Sequence, residues 1–136
     1  MATLVTGEFD VKLTPQTLAE GGADSGLARM SIAKQFHGEL EASSVGEMLS
    51  AMSAVQGSAG YVAIEKVTGS LAGRNGSFVL QHHATMNRGV PSLSITVVPD
   101  SGAGELTGIT GTMNIRIEGG KHFYDFEYSV ASDAPA

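Results

Sequence analysis

Residues 69–80 (GSLAGRNGSFVL) and residues 104–115 (GELTGITGTMNI) share one spacing, Gly-x-Leu-x-Gly-x-x-Gly-x-Φ-x-Φ, where Φ is apolar. A third copy, GELEASSVGEML at residues 38–49, fits with one residue inserted at its centre and Ala42 in place of a glycine. Self-similarity of this kind predicts one supersecondary unit used three times. Each copy sets small residues between alternating apolar positions, so the predicted unit is a β-hairpin. A chain committed to three such hairpins has few folds open to it.

In the central copy Asn75-Gly76 can serve as a two-residue turn, because both residue types accept positive φ. That turn places Leu71 opposite Leu80, Gly69 opposite His82, Val67 opposite Ala84 and Glu65 opposite Met86, with Phe78 on the same face. The other face carries Lys66, Thr68, Ser70, Gln81, His83 and Thr85. The first face is therefore the inner one. In the last hairpin Gly119-Gly120 supplies a turn that gathers Met113, Ile115, Ile117, His122, Tyr124, Phe126 and Tyr128 on one side. The repeat independently matches Met113 to the inward Phe78, so the two arguments agree.

The same alignment turns Met30, Ile32, Lys34, Phe36 and Leu40 inward. The leading stretch GEFDVKLTP alternates with Phe9, Val11 and Leu13 inside, and VPSLSITVVP adds one more strand. The sum is an all-β, closed eight-stranded antiparallel barrel, since closure removes edges that a Gly-rich open sheet would leave unpaired. Residues 15–27, which lack alternation, are expected as a mobile loop at one mouth, and residues 131–136 as a frayed tail. Residues 49–55 could hold a helical turn, but their place in the repeat favours strand followed by loop. The serines of ASS and DSG are expected in turns.

The glycines do not make a phosphate loop, which needs a helix after them and a Gly-Lys-Ser/Thr signature; here a strand pattern follows. At 136 residues the chain fits one domain spanning 1–136. It has 14 acidic residues against 8 basic ones and a formal charge of -6, so nucleic acid and anionic membrane are poor partners. With no cysteine it is compatible with a reducing cytoplasm, and no apolar run approaches the roughly 20 residues that cross a bilayer. The expectation is a soluble, cytoplasmic protein.

The run RMSIAKQFHGELEASSVGEMLSAM, with GSAGYVAIEKVTGSLAGRNGSFVLQHHATM and VVPDSGAGELTGITGTMNIRIEGGKHFYDFEYSV, closely resembles a bacterial family of unknown function, the domain-of-unknown-function family 3224. The resemblance covers nearly the whole chain. It implies an allene oxide cyclase-like, calycin-like barrel, related in shape to the lipocalins. Allene oxide cyclases steer an epoxide to one cyclic product without a cofactor, using an apolar barrel and a buried carboxylate. Their catalytic motif finds no residue-by-residue match here, so the resemblance transfers the fold and no catalytic role.

Chemistry is therefore sought among the polar residues of the inner face. Lys34 and Glu65 occupy equivalent positions on second-neighbour strands, roughly 10 Å apart between backbones, which two long side chains can bridge. An unpaired buried charge would cost several kcal/mol, so the two are expected to pair. One reading makes the pair a structural plug. The other makes Glu65 a general base or cation stabiliser in an apolar pocket, with Lys34 or a tyrosine hydroxyl polarising a substrate oxygen and His82 relaying protons. Adjacent His82 and His83 point to opposite faces, so no metal site is expected, and no cofactor. Tyr61, Phe36, Phe78, Met86, Met113, Tyr124 and Tyr128 are the candidate ligand contacts, although Tyr124 and Tyr128 also read as core packed with Phe126, their hydroxyls reaching the mouth.

No G-x-S-x-G register is present. The outward Val62, Ile64 and Val79 suggest a dimer or trimer contact. The chain thus reads as a barrel for an apolar, oxygenated metabolite, with cofactor-free isomerase or cyclase activity in view; the alternative is a non-catalytic carrier or structural oligomer with a filled core.

Overall fold

Apolar residues alternate with polar ones through almost every segment, and the described residues follow that pattern into nine strands. The computed structural model describes residues 2–18 and 26–130. The strands are β1 (Thr3–Gln16), β2 (Leu27–Phe36), β3 (Leu40–Met52), β4 (Ala59–Leu71), β5 (Arg74–Asn87), β6 (Val90–Val97), β7 (Ala103–Gly104), β8 (Thr110–Glu118) and β9 (Lys121–Ser129). Antiparallel pairing runs β4-β3-β2-β1-β9-β8-β6-β5, and β4 pairs with β5 to close the ring. The result is the expected eight-stranded barrel, with the two-residue β7 laid against Gly76 and Ser77 of β5. β1 reaches Gln16 and β2 starts at Leu27. Most of the segment expected as a mobile loop, residues 19–25, and the tail at 131–136 lie outside the described residues.

The last hairpin turns at Gly119-Gly120, with Glu118 opposite Lys121 as expected. The central hairpin does not turn at Asn75-Gly76. Its turn is Ala72-Gly73, at φ 49 and 86, and Leu71 faces Arg74. Asn75 and Gly76 are held in strand instead: Gly76 pairs with Gly104, and the Asn75 N–H donates to Glu105 Oε1 at 2.9 Å. Glu65 consequently faces Leu80 rather than Met86, and His82 faces Ala63 rather than Gly69. The displacement is even, so every side chain keeps the face that the sequence assigned to it.

The threefold repeat survives only in its middle copy. Residues 38–49 form the β2–β3 connection followed by one continuous strand, which puts Ser43 and Ser44 of ASS in mid-strand rather than in a turn. Residues 104–109 form successive tight turns that carry Leu106 and Ile109, each 1% exposed, into one end of the barrel. These copies share a glycine rhythm because bends and close approaches need glycine, whichever way the chain then runs.

The interior is layered. At one end Phe9, Phe36, Leu40, Val67, Leu71, Phe78, Val97, Leu106, Ile109, Tyr124, Phe126 and Tyr128 form a continuous buried cluster. Phe78 stacks on Phe126 with centroids 5.5 Å apart, and Phe126 on Tyr128 at 5.4 Å. Tyr124 locks this plug to the β2–β3 turn: its hydroxyl donates to the His37 carbonyl at 2.9 Å and accepts from the Leu40 N–H at 3.2 Å. Tyr124→Phe is expected to cost about 1–2 kcal/mol by leaving those groups unpaired. Urea midpoints read this directly, and an unchanged midpoint would show that water takes over the bonds.

At the opposite end the inner face stays half-open. Every barrel strand contributes half-buried inward residues there, among them Val11, Met30, Met48, Tyr61, Ala84, Leu93, Ile115 and His122. Leu13 and Ile117, expected inside, lie beyond this rim at 46% and 67% exposure. The wall is also loose on this side. β6 and β8 pair only through Ile95 with Met113 and Thr96 with Thr112, so the tips of the β5–β6 and β8–β9 hairpins are not joined by a ladder. A notch of about 260 Å³ opens between β1 and the β8–β9 tip, beside Phe9, Val11 and His122.

Candidate functional site

The floor of this cup is polar. Alternation on β2, β3, β4 and β5 turns Lys34, Ser44, Glu65 and His82 inward between the plug and the open end. These four are the buried polar residues among those described. Lys34 lies opposite Ser44 in the β2–β3 ladder, and Gly46 lies opposite Glu65 in the β3–β4 ladder. Glycine at 46 lets the two backbones approach, since a Cβ there would sit 2.8 Å from Cβ of Glu65.

Glu65, fully buried, is the hub. Its Oε2 accepts from Lys34 Nζ at 2.8 Å and contacts His82 Nε2 at 2.5 Å, while Oε1 accepts from the Ser44 hydroxyl at 2.6 Å. The Lys34 ammonium also lies 5.0 Å from the Phe9 ring centroid and 5.7 Å from that of Phe36, where the ring faces favour a cation. Burial alone would push the Glu65 carboxyl up. The His82 hydrogen bond, the Lys34 charge and the Ser44 hydroxyl together outweigh burial and hold it at about 2.

Glu65 is thus ionised at neutral pH and can only accept, so the hydrogen shared with His82 belongs to Nε2 of the imidazole. Tyr61 stands next to that ring, with centroids 6.5 Å apart. Burial and the Glu65 charge raise the Tyr61 hydroxyl above its ordinary value, so it is a neutral hydrogen-bonding group.

A carboxylate depressed this far is a weak base, and both its oxygens are engaged. Its chemical work is to orient: it fixes the imidazole and neutralises the lysine. The depression also has a sign in stability. Because the folded carboxyl titrates near 2 against an ordinary 4.5, its contribution is complete above about pH 5 and lost as pH falls toward 2. About 3 kcal/mol should disappear over that window, measured by urea unfolding against pH. A flat acid limb would contradict the assignment.

The structure brings Lys34, Glu65 and His82 together and places Tyr61 beside them. His82 is closer than the sequence suggested, bonded to Glu65 directly, because the corrected register moves it down the strand. His83, next to it, is exposed. The other candidate contacts scatter. Met113 is buried under the cup next to Ile95, and Met86 sits on the rim at 40% exposure, in a hollow of about 500 Å³ shared with Met52, Gly60 and Asn87. Phe36, Phe78, Tyr124 and Tyr128 belong to the plug, and the Tyr124 hydroxyl is spent on the β2–β3 turn rather than reaching the mouth. Ser44 escaped sequence reading because ASS has turn composition. Its signal was its position, directly across from Lys34 once the β2–β3 connection is placed at Gly38.

No curated protein matches the chain. The profile of a family described as "Protein of unknown function (DUF3224)" matches residues 5–128. A crystal structure at 1.84 Å of a DUF3224 protein with unknown function, from Shewanella oneidensis MR-1, is 59% identical, superposes with a TM-score of 0.89, and is matched over 96% of this chain and 98% of that one. The strand order describes a closed eight-stranded barrel related to calycin-type barrels, and the chain that builds it belongs to the DUF3224 family.

Proposed function

We propose that the open end of the barrel binds an apolar, oxygenated small molecule, with Met30, Met48, Tyr61, Leu93 and Ile115 around it and the Lys34–Glu65–His82–Ser44 cluster beneath. One observation carries this reading. The cup's inward residues stay half-buried on all eight barrel strands, while the polar floor is sealed from the other side by aromatic packing. An apolar wall with a few convergent polar groups is the usual make-up of a small-molecule site. The resemblance to allene oxide cyclase-like barrels extends the proposal to cofactor-free isomerisation or cyclisation. In such chemistry His82, oriented by Glu65, is the group placed to hold or move a proton, and Tyr61 to donate a hydrogen bond to a substrate oxygen.

A second reading has its own support. The outer surface of β3 and β4 exposes Val45 (68%), Leu49 (51%), Val62 (54%) and Ile64 (55%), which suits a structural oligomer. Native mass spectrometry of protein purified without denaturation separates the two. A co-purifying small molecule, recovered by denaturing extraction, is expected. An empty multimer at good sensitivity would favour the oligomer.

A further inference from the structure

The hydrogen-bond arrangement of the floor restricts what the cup can hold. Glu65 accepts the Nε2 hydrogen of His82. In the neutral imidazole this leaves Nδ1 as a lone-pair acceptor. Among the described residues, every fully buried side-chain nitrogen or oxygen has a partner. His82 is 3% exposed and bonds there only through Nε2, so its Nδ1 is not sealed in and has a partner to gain.

Charge narrows the class further. Lys34 and His82 meet the same carboxylate oxygen, Oε2, whose single negative charge the Lys34 ammonium already balances. A protonated imidazole would be a second buried cation beside that ammonium with no anion of its own. A ligand carboxylate entering the cup would likewise bring a charge for which the floor keeps no free cation. Lys34 is held by Glu65 and lies against Phe9 and Phe36, on the plug side. The chain's formal charge of -6 adds to the bias against anions.

We propose that the cup selects neutral hydrogen-bond donors, alcohols or phenols on an apolar body, whose O–H donates to His82 Nδ1, and that it discriminates against carboxylates and against ketones of the same size. This rests on the proposal that the cup is a ligand site. It adds which head group the site takes. A ketone can still accept from Tyr61, but it leaves Nδ1 without a partner in a place with little water. That missing bond is the source of the discrimination.

Three probes of equal chain length test it: octan-1-ol, octan-2-one and octanoate, titrated at pH 8 into protein labelled at the methionine methyls and the imidazole nitrogens. Octan-1-ol is expected to bind about tenfold more tightly than either competitor. It should shift the Met30 and Met48 methyls and the Nδ1 signal of His82. Octanoate or octan-2-one binding as tightly in the same cup would overturn the donor rule while leaving the ligand site intact. A free protein whose Nδ1 already carries a proton would overturn it too. If none of the three moves the Met30 and Met48 signals, the ligand site itself falls, and the selectivity with it.

Discussion

Glu65→Gln is expected to destabilise the barrel by about 3–5 kcal/mol at pH 7, among the largest effects of any single substitution in this chain. The amide keeps most of the carboxylate's shape but has one acceptor oxygen, so in place it accepts from His82 or from Ser44 and not from both. It also removes the charge. The Lys34 side chain is 6% exposed, so its ammonium would be left buried without a counter-ion. Two companion results identify the cause. Adding Lys34→Met to Glu65→Gln should recover much of the loss, because a buried pair replaced by uncharged groups of similar size is often neutral. The acid limb of stability between about pH 5 and pH 2 should shrink by about 3 kcal/mol in Glu65→Gln, since the buried, depressed carboxyl is gone. A loss below about 1 kcal/mol, with the acid limb retained, would mean that other carboxylates carry the pH dependence and that Lys34 reaches solvent.

Phe126→Ala is expected to cost a similar amount, about 3–5 kcal/mol, through an unrelated mechanism. Phe126 is fully buried and sandwiched between Phe78 and Tyr128. Truncation opens a void in the middle of the plug, and the closed ring of strands limits how far the walls can collapse into it. The substitution also separates plug from cup. If Phe78 and Tyr128 only fill the closed end, Phe126→Ala should lower the urea midpoint and leave octan-1-ol affinity within about twofold, a change worth only a few tenths of a kcal/mol. Loss of probe binding at temperatures where the variant is folded would instead return Phe78 and Tyr128 to the ligand site.

The inward position of Glu65 and Lys34 follows from parity alone, which a strand keeps however its turn is placed. The central hairpin shows this: its turn falls at Ala72-Gly73 rather than Asn75-Gly76, yet the inward residues are unchanged. The turn itself was not legible. Ala72 adopts a positive φ that alanine rarely takes, and Asn75-Gly76 is drawn into strand by β7, a partner far along the chain. Local propensity points one way there and long-range pairing the other.

The same conflict hid Ser44, whose neighbours in sequence suggest a turn while its neighbours in space are Lys34 and Glu65. The division into a filled end and an open end was equally out of reach. Phe78 and Tyr61 both read as inward aromatics. Only the stagger of the strands, and the turns that bring Leu106 and Ile109 over one end, set them at opposite ends of the barrel.

A crystal soaked with 4-iodophenol, which offers a phenolic O–H, an apolar ring and an anomalous scatterer, tests whether the open end is the working surface and the charged cluster its floor. An iodine peak is expected inside the cup, near the Met30 and Met48 rim, with the phenol oxygen within hydrogen-bond distance of His82 Nδ1. Iodine found only on the outer faces of β3 and β4, with the cup empty at full soak, would contradict it.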